Sequence, residues 1–589
     1  MPAIPNFVLK RLYVKGSLVN ATEGCELQLR NFVGSGTLTG LLSVDVDGRS
    51  FSTDVLSVML ADGGIRSGDS VTAATPLVLT SGVAVTMRLR GTHLAPGSHA
   101  LKIRINTGEM GQLVISLSDA VREKLSQPDP FPSATAEERT ARDEAVSRPL
   151  KVAIIGAGSA VFARQLIADI LTTPGLMSGT FFLVDVDAQR LALAKRVGDA
   201  MVKAAGREWR VEATRDRRRV LPGCDYVINS IEVAGLRNVR HDYDIPLKYG
   251  VDQCIGDTIG PGGVFKMLRT GPAWLSILRD IEELCPRAVV MNYTNPMSAL
   301  TLLALRATRL RVVGLCHSVQ GTSQQLADYL DLPASELTWR CAGINHLAWF
   351  TELTHHGRDM YPRLQERAAD PDVYDADPVR FEMMKHFGAF CTESSGHMSE
   401  YLPYFRKRPE LIRRYMRGGY RGESGFYANN WPAWRAGGDN SIREILDGRS
   451  PLALQRSEEY ASTIVESIEC GRPAVIHGNV LNTGLIENLP FDGCVEVPVL
   501  ADSSGLSPVH FGPLPGQLAA LDGAHMAVHG LMVEAVLNRD LAAARHALLL
   551  DPLTAAVCHP EEIASMFDEM VSAEREDLAY FGRRPAEKR

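Results

Sequence analysis

No uninterrupted apolar stretch of this sequence reaches about 18 residues, so no membrane-spanning helix is expected. The opening residues, MPAIPNFVLKRLYVKG, lack the long apolar core and the small-residue cleavage site of a signal peptide. The ten cysteines are scattered and include no CxxC pair, which argues against a closed four-ligand zinc framework. Such usage suits a reducing compartment, and a cytoplasmic protein is expected. Basic excess is absent too. The formal net charge is -7, so neither nucleic acid nor an anionic membrane is expected as a partner. The short run Arg215-Asp216-Arg217-Arg218-Arg219 reads as a solvated face. There is no internal repeat and no low-complexity tract. The first 118 residues hold no tryptophan and one tyrosine, Tyr13, which leaves little for an aromatic sugar platform.

What is present is ordinary globular composition, 45% hydrophobic and 22% charged, in a 589-residue chain too long for one core. Three textures divide it. Residues 1–118 carry short β-branched runs with alternation such as Leu101-Lys102-Ile103-Arg104-Ile105, separated by turn signals at Asp47-Gly48, Asp62-Gly63-Gly64 and Thr107-Gly108. A small antiparallel β-sandwich is expected there. Residues 119–149 read as a linker, with prolines at 128, 130 and 132 followed by a charged, aromatic-poor run. Residues 150–345 alternate helical patterns with continuous apolar runs (VAIIG, FFLVDV, YVINSI, AVVMNY, RVVGLC), the mark of strands buried on both faces. A Rossmann-like doubly wound parallel sheet is expected, followed over residues 346–589 by an α+β domain for substrate binding and oligomerisation. Within that last part, His525 to Pro552 is strongly helical in composition.

The clearest local signal is Gly156-Ala157-Gly158-Ser159, after the strand Val152-Ala153-Ile154-Ile155 and before a helical run from Ala160. Two glycines let backbone approach a pyrophosphate, and the following helix N-terminus offers free N–H groups. The next strand ends in Asp185, placed to bond a ribose hydroxyl, which favours NAD over NADP. The turn departs from the full fingerprint, because the third glycine position holds Val161.

Polar residues then follow the later strands, at the sheet edge where ligands bind. They are Asn229, the glycine-rich segment around Asp257, Asn292 and Asn295, the pair Cys316-His317, and His346. Singly, a strand-end cysteine is a small core residue and a lone histidine a satisfied polar group. Together, a thiol, imidazoles, an acid and asparagines beside a nucleotide fold are what a metal-assisted site needs.

The ordered motifs KVAIIGAGS, VDVD, GDTIGPGG, NYTNP, GLCHSVQ, GINHLAWF and SSGHMSEYLPYF resemble those of glycoside hydrolase family 4, most of all its α-galactosidase and α-galacturonidase branch. The resemblance covers roughly residues 151–568. It implies an NAD that is not consumed and a divalent metal, usually Mn2+. In the implied reaction a hydride leaves C3 of the sugar, the acidified C2 proton is removed, the leaving group is expelled from C1, water adds and the hydride returns. By the same resemblance Cys316 and His346 hold the metal, Tyr401 is the base at C2, and Asn295 binds substrate. Gly156, Gly158, Ser159, Asp185, Asn229 and Asn292 hold the cofactor. Where phosphosugar members of the family carry an acidic residue after the cysteine, this sequence has His317, which is expected to donate a proton or contact substrate. Asp257 is the competing acid.

The expected activity is therefore hydrolysis of an O-glycosidic bond, α-galactoside-like or an α-galacturonide, in a homo-oligomer (dimer or tetramer). The alternative is an NAD-dependent sugar dehydrogenase with net NADH release. The N-terminal β region lies outside the family's usual chain, and an assembly role is expected for it.

Overall fold

The computed structural model describes residues 12–13, 17–21, 24–30, 36–59, 65–79, 84–95, 97–108, 111–123 and 148–582. The described residues fall in two compact units, one drawn from 1–135, 323–338 and 353–375, the other from 136–322, 339–352 and 376–589. Most of the expected linker, and the turn at Asp62-Gly63-Gly64, lie outside the described residues.

In the first unit, ten strands between Val19 and Glu123 form two antiparallel groups. They are joined by the parallel pairing of Val19–Ala21 with Gly111–Glu123, a strand that runs past residue 118. Alternation decides which side chains point inward. In Gly97–Thr107, Leu101, Ile103 and Ile105 are buried while Lys102 is exposed. Leu27, Val58, Met87 and Leu89 from one group share a single core with Val44, Ile103 and Ile115 from the other, the arrangement expected of a sandwich. Asp47 and Gly48 both take positive φ (50° and 83°), the two-residue turn that matches strand twist.

The second unit holds the glycine-turn sheet. Its parallel strands lie in the order Glu208–Thr214, Ser178–Val184, Leu150–Ile155, Tyr226–Asn229, Val289–Asn292 and Arg311–Gly314. By sequence that order is 3-2-1-4-5-6, the dinucleotide-binding topology. The sheet does not stop there. Gly314 pairs antiparallel with Asn479, and the strand Cys494–Asp502 pairs with Ala474–Leu481 and, through Glu496, with Gly343. One sheet thus continues across residue 345. The helical stretch from His525 is two helices, Gly516–Asn538 and Leu541–Leu550. They are broken at Arg539, which takes φ 56°, and the second is capped by Asp540, whose side chain accepts the Ala542 N–H. The basic run is an ion-paired surface, with Arg217 on Asp280 and Arg218 on Glu283. Among the described residues, no helix is long and apolar enough to cross a membrane.

Buried charge ties the helices behind the sheet. Arg269, in the helix Gly260–Leu284, donates to both carboxylate oxygens of Asp242 (2.9 and 2.8 Å) and to Glu574 (2.7 Å), and its side chain is 1% exposed. Removing one member of a buried ionic group strands the others in low dielectric. Arg269→Met should lower unfolding stability by about 3–5 kcal/mol in chemical denaturation. A loss under about 1 kcal/mol, the range of an exposed ion pair, would show that Arg269 is not a structural tie.

Candidate active site

The glycine turn is built by close backbone approach. Gly156 (φ 90°) and Ala157 donate their N–H groups to Val184 O at 2.9 and 3.1 Å. A Cβ on Gly156 would sit 2.5 Å from the Ser230 carbonyl, and one on Gly158 would sit 2.6 Å from Asp185 Oδ2. Neither position accepts a side chain. Ser159 opens the helix Ala160–Thr172, its carbonyl accepting the Ala163 N–H at 2.9 Å. Asp185 stands beside the turn as expected, but both its oxygens already accept backbone N–H groups, from Gly158 at 2.7 Å and from Asp187 at 2.9 Å. Val161, in place of a third glycine, is 41% exposed, and the facing residue that makes room for it is Gly438.

Asn229 and Asn292 are register partners at the ends of adjacent strands, and both are fully buried. Asn229 Nδ2 donates to Asn292 Oδ1 (2.8 Å) and Thr294 Oγ1 (3.2 Å), and Asn292 Nδ2 donates to Thr294 O (3.1 Å). The pair shapes the turn that carries Asn295. Asn295 Nδ2 in turn donates to Asp257 Oδ2 at 3.2 Å.

Asp257 is buried, and Lys266 Nζ lies 3.2 Å from it and 3.0 Å from Glu232. Burial works to raise its carboxyl, but Lys266 and then His397 outweigh it and hold the group below the usual carboxylate range. A carboxylate kept ionised by a buried lysine is a poor proton donor, which argues against Asp257 as the acid.

Cys316, His346 and Glu393 place a sulfur, a ring nitrogen and a carboxylate oxygen within 4.8 Å of one another. Burial lowers His346 to about 4, leaving a neutral imidazole, and its Nδ1 is buried without a hydrogen-bond partner. Burial, then Glu496 and Glu393, raise the Cys316 thiol to about 12. Glu393 takes φ 72°, a left-handed backbone costly for a non-glycine residue. Burial would raise its carboxyl, yet His397 and His346 bring it down to about 2. A thiol that needs a cation to ionise, a neutral imidazole with an orphaned nitrogen and an ionised carboxylate are donors suited to a divalent metal.

Tyr401 ends the short helix Ser395–Tyr401 and is fully buried. Its phenol oxygen accepts the His346 N–H at 3.1 Å, which joins it to the same cluster. Burial pushes the phenol up, so a base at this position needs a neighbouring cation. His397, four residues earlier on the same helical face, has its ring 4.8 Å from His346 and 5.5 Å from Tyr401, and its Nε2 is buried and unpartnered. Burial pulls His397 down, but Glu393 outweighs it and leaves the ring up at about 9. His317, next to Cys316, differs in being exposed. Its side chain is 67% exposed, with Nδ1 3.3 Å from Glu459 Oε1, and that interaction raises it to about 9.

The loop and the helix are fastened by Glu400, which is fully buried. It accepts backbone N–H groups from Cys254 (2.7 Å), Ile255 (2.6 Å) and Gly256 (2.9 Å), and the Gln253 side-chain amide at 3.3 Å. Glu393, His397, Glu400, Lys266 and Glu459 were not singled out from the sequence. The spacing of His397 and Tyr401 by four residues on a helix was the one signal that could have revealed any of them.

Residues 151–332 match the profile described as family 4 glycosyl hydrolase, and residues 341–554 match the C-terminal domain of that family. Residues 8–122 match a profile described as the N-terminal domain of hydroxymethylglutaryl-CoA reductase. The chain is 40% identical over 438 residues to an alpha-galactosidase of Rhizobium meliloti (strain 1021), covering 73% of this chain and 89% of the relative. It is 39% identical over 429 residues to an alpha-galactosidase of Bacillus subtilis (strain 168), covering 72% and 98%. An alpha-galacturonidase of the same organism is 29% identical over 428 residues, covering 69% and 93%. Among solved structures, the lplD protein of Bacillus subtilis superposes with a TM-score of 0.65 at 26% identity, covering 72% of this chain and 99% of that one. A 6-phospho-alpha-glucosidase from gut microorganisms, solved in complex with NAD and Mn2+, superposes with a TM-score of 0.62 at 20% identity, covering 73% and 99%. The resemblance drawn from the seven motifs therefore holds: the chain is an enzyme of the family 4 glycosyl hydrolases, extended by an N-terminal β region.

Proposed function

We propose that this enzyme hydrolyses a terminal α-galactoside, with NAD at the Gly156–Ser159 turn and a divalent metal, Mn2+ by family resemblance, held by Cys316, His346 and Glu393. The observation that carries the proposal is the convergence of those three ligands with Tyr401 on His346. When bound, NAD supplies a hydride acceptor and donor at C3 of the sugar, and the metal supplies Lewis-acid polarisation of sugar oxygens.

The chain's own residues do the rest. Tyr401 takes the C2 proton, and its burial keeps competing water away. His397 lies beside Tyr401 with an unpartnered nitrogen, positioned to orient a hydroxyl. Asp257, paired with Lys266, and Asn295, which donates to Asp257, hold sugar hydroxyls rather than donate protons. His317, exposed and oriented by Glu459, is the better placed proton donor to the leaving oxygen. The neutral sugar is favoured over a uronide because Lys266 and Arg269, the cations lining the adjacent pocket, are already paired with carboxylates. The two relatives named alpha-galactosidase, at 40% and 39% identity, support the same choice.

We further propose a homo-oligomer in a reducing, cytoplasmic setting, which suits ten unpaired cysteines. The N-terminal region would serve assembly. Its one tyrosine, Tyr13, is buried and donates to Asp119 at 2.7 Å, so it offers no ring to a sugar.

With NAD and Mn2+, the full chain should cleave p-nitrophenyl α-galactoside without accumulating NADH. Tyr401→Phe should lose at least a thousandfold in kcat while keeping its NAD affinity. Glu393→Ala should weaken Mn2+ binding at least tenfold in calorimetry. Net NADH release without cleavage would instead identify a sugar dehydrogenase. Deletion of residues 1–148 should reduce the subunit number measured by light scattering, and an unchanged assembly would remove the assembly role.

A further inference from the structure

Aromatic rings gather where the helix Phe426–Leu446 begins. Tyr420 and Trp434 stack with centroids 6.0 Å apart and 18° between planes, and Tyr427 and Trp431 stack at 5.1 Å and 27°. Phe426 braces the group, 4.7 Å from Tyr420 and 5.2 Å from Trp434. These are not ordinary core residues. Tyr420, in the turn Gly419–Arg421, is 53% exposed, and Trp434 is 40% exposed on a helix whose buried residues are Ala428 and Ile442.

The wall is fixed to the site. Gly425 N–H donates to Gln253 O at 2.8 Å and Tyr427 N–H to Cys254 O at 3.0 Å, so the helix starts on the loop that leads to Asp257. Tyr427 and Trp431 line one pocket together with Glu232, Asp257 and Lys266. Trp431 lies over Gly235, where a Cβ would come within 2.1 Å of the indole, so a glycine is needed for the ring to lie there. A Cβ on Gly396 would come within 2.3 Å of the Tyr420 carbonyl, so that residue packs on the helix Ser395–Tyr401, which carries His397 and Tyr401.

Stacked, exposed rings with carboxylates and an ammonium at their margin form a surface suited to a sugar. The C–H face of a pyranose lies on the aromatic plane, and its hydroxyls reach the polar rim. We infer that Tyr420, Tyr427, Trp431 and Trp434 form a leaving-group subsite that stacks the pyranose ring on the far side of the scissile bond. This rests on the glycosidase reading above and extends it, since it assigns four aromatic residues of this chain to the ring beyond the scissile bond.

Trp434 is exposed, so Trp434→Ala tests the wall without emptying a core. For an α-galactosyl disaccharide, kcat/KM should fall at least tenfold, mainly through KM. For α-galactosyl fluoride, whose leaving group has no ring, it should stay within twofold. Trp434→Phe should recover most of the loss, with NAD affinity and particle mass unchanged in both variants. Equal losses on the two substrates, no loss on either, a fall in NAD affinity, or a change in subunit number would each overturn the subsite. The last would make the wall an interface between copies of the chain. Failure of the wild-type enzyme on both substrates would sink the glycosidase reading separately. The wall would then be read by saturation-transfer NMR with methyl α-glucoside. A transfer signal in the wild type that disappears in Trp434→Ala supports the wall, and the absence of any signal in the wild type overturns it.

Discussion

The carboxylate of Glu400, buried in the interior and closed around by three consecutive backbone N–H groups, is the constraint on which the site's geometry depends. The segment Cys254 to Gly256 is neither helix nor strand, so its N–H groups have no ladder to join. One anion satisfies all three, and charge-assisted bonds of this kind are stronger than neutral ones. The consequence is positional. Glu400 precedes Tyr401 on one side, and its loop leads to Asp257 on the other, while the helix from Phe426 is seated on the same loop. The proposed base, the sugar-orienting acid and the aromatic wall are all referenced to one carboxylate.

The electrostatics follow the same economy of pairing. Lys266 sits between Glu232 and Asp257, and Arg269 between Asp242 and Glu574. Glu393 stands against His346 and His397. Buried charges of this number persist where each is compensated. The compensation also divides labour. Lys266 and His397 hold Asp257 below the usual carboxylate range, which disfavours it as the proposed acid, while the exposed His317 has a buried partner in Glu459.

The fold was legible because its signals are local. Apolar runs such as Val152 to Ile155, a glycine turn and helical periodicity suffice to specify parallel strands with crossovers, and alternation at Leu101 to Ile105 suffices for the first β region. Continuation of the sheet through Asn479 and Glu496 was not legible, since pairing between distant strands leaves no mark in either one. Of the residues gathered in the candidate site, Asn229, Asn292, Asn295, Cys316 and His346 stand at or just after strand ends as expected, whereas Asp257, expected after a strand, lies in the loop between the helices Gly235–Lys248 and Gly260–Leu284. Glu393 escaped because it sits on an irregular turn and reaches the cluster through tertiary packing. Lys266 and Glu400 escaped because a buried charge is recognisable only by its partners. Asp185 was found, but its engagement with the Gly158 N–H was not, being an interaction between two loops.

The central claim is that Tyr401 removes a carbon-bound proton from C2, which distinguishes this chemistry from displacement by two carboxylates. Hydrolysis of an α-galactoside carried to completion in D2O, with the released sugar analysed by NMR, tests it directly. The account predicts deuterium at C2 of the product. Complete retention of the original hydrogen at C2 would contradict it.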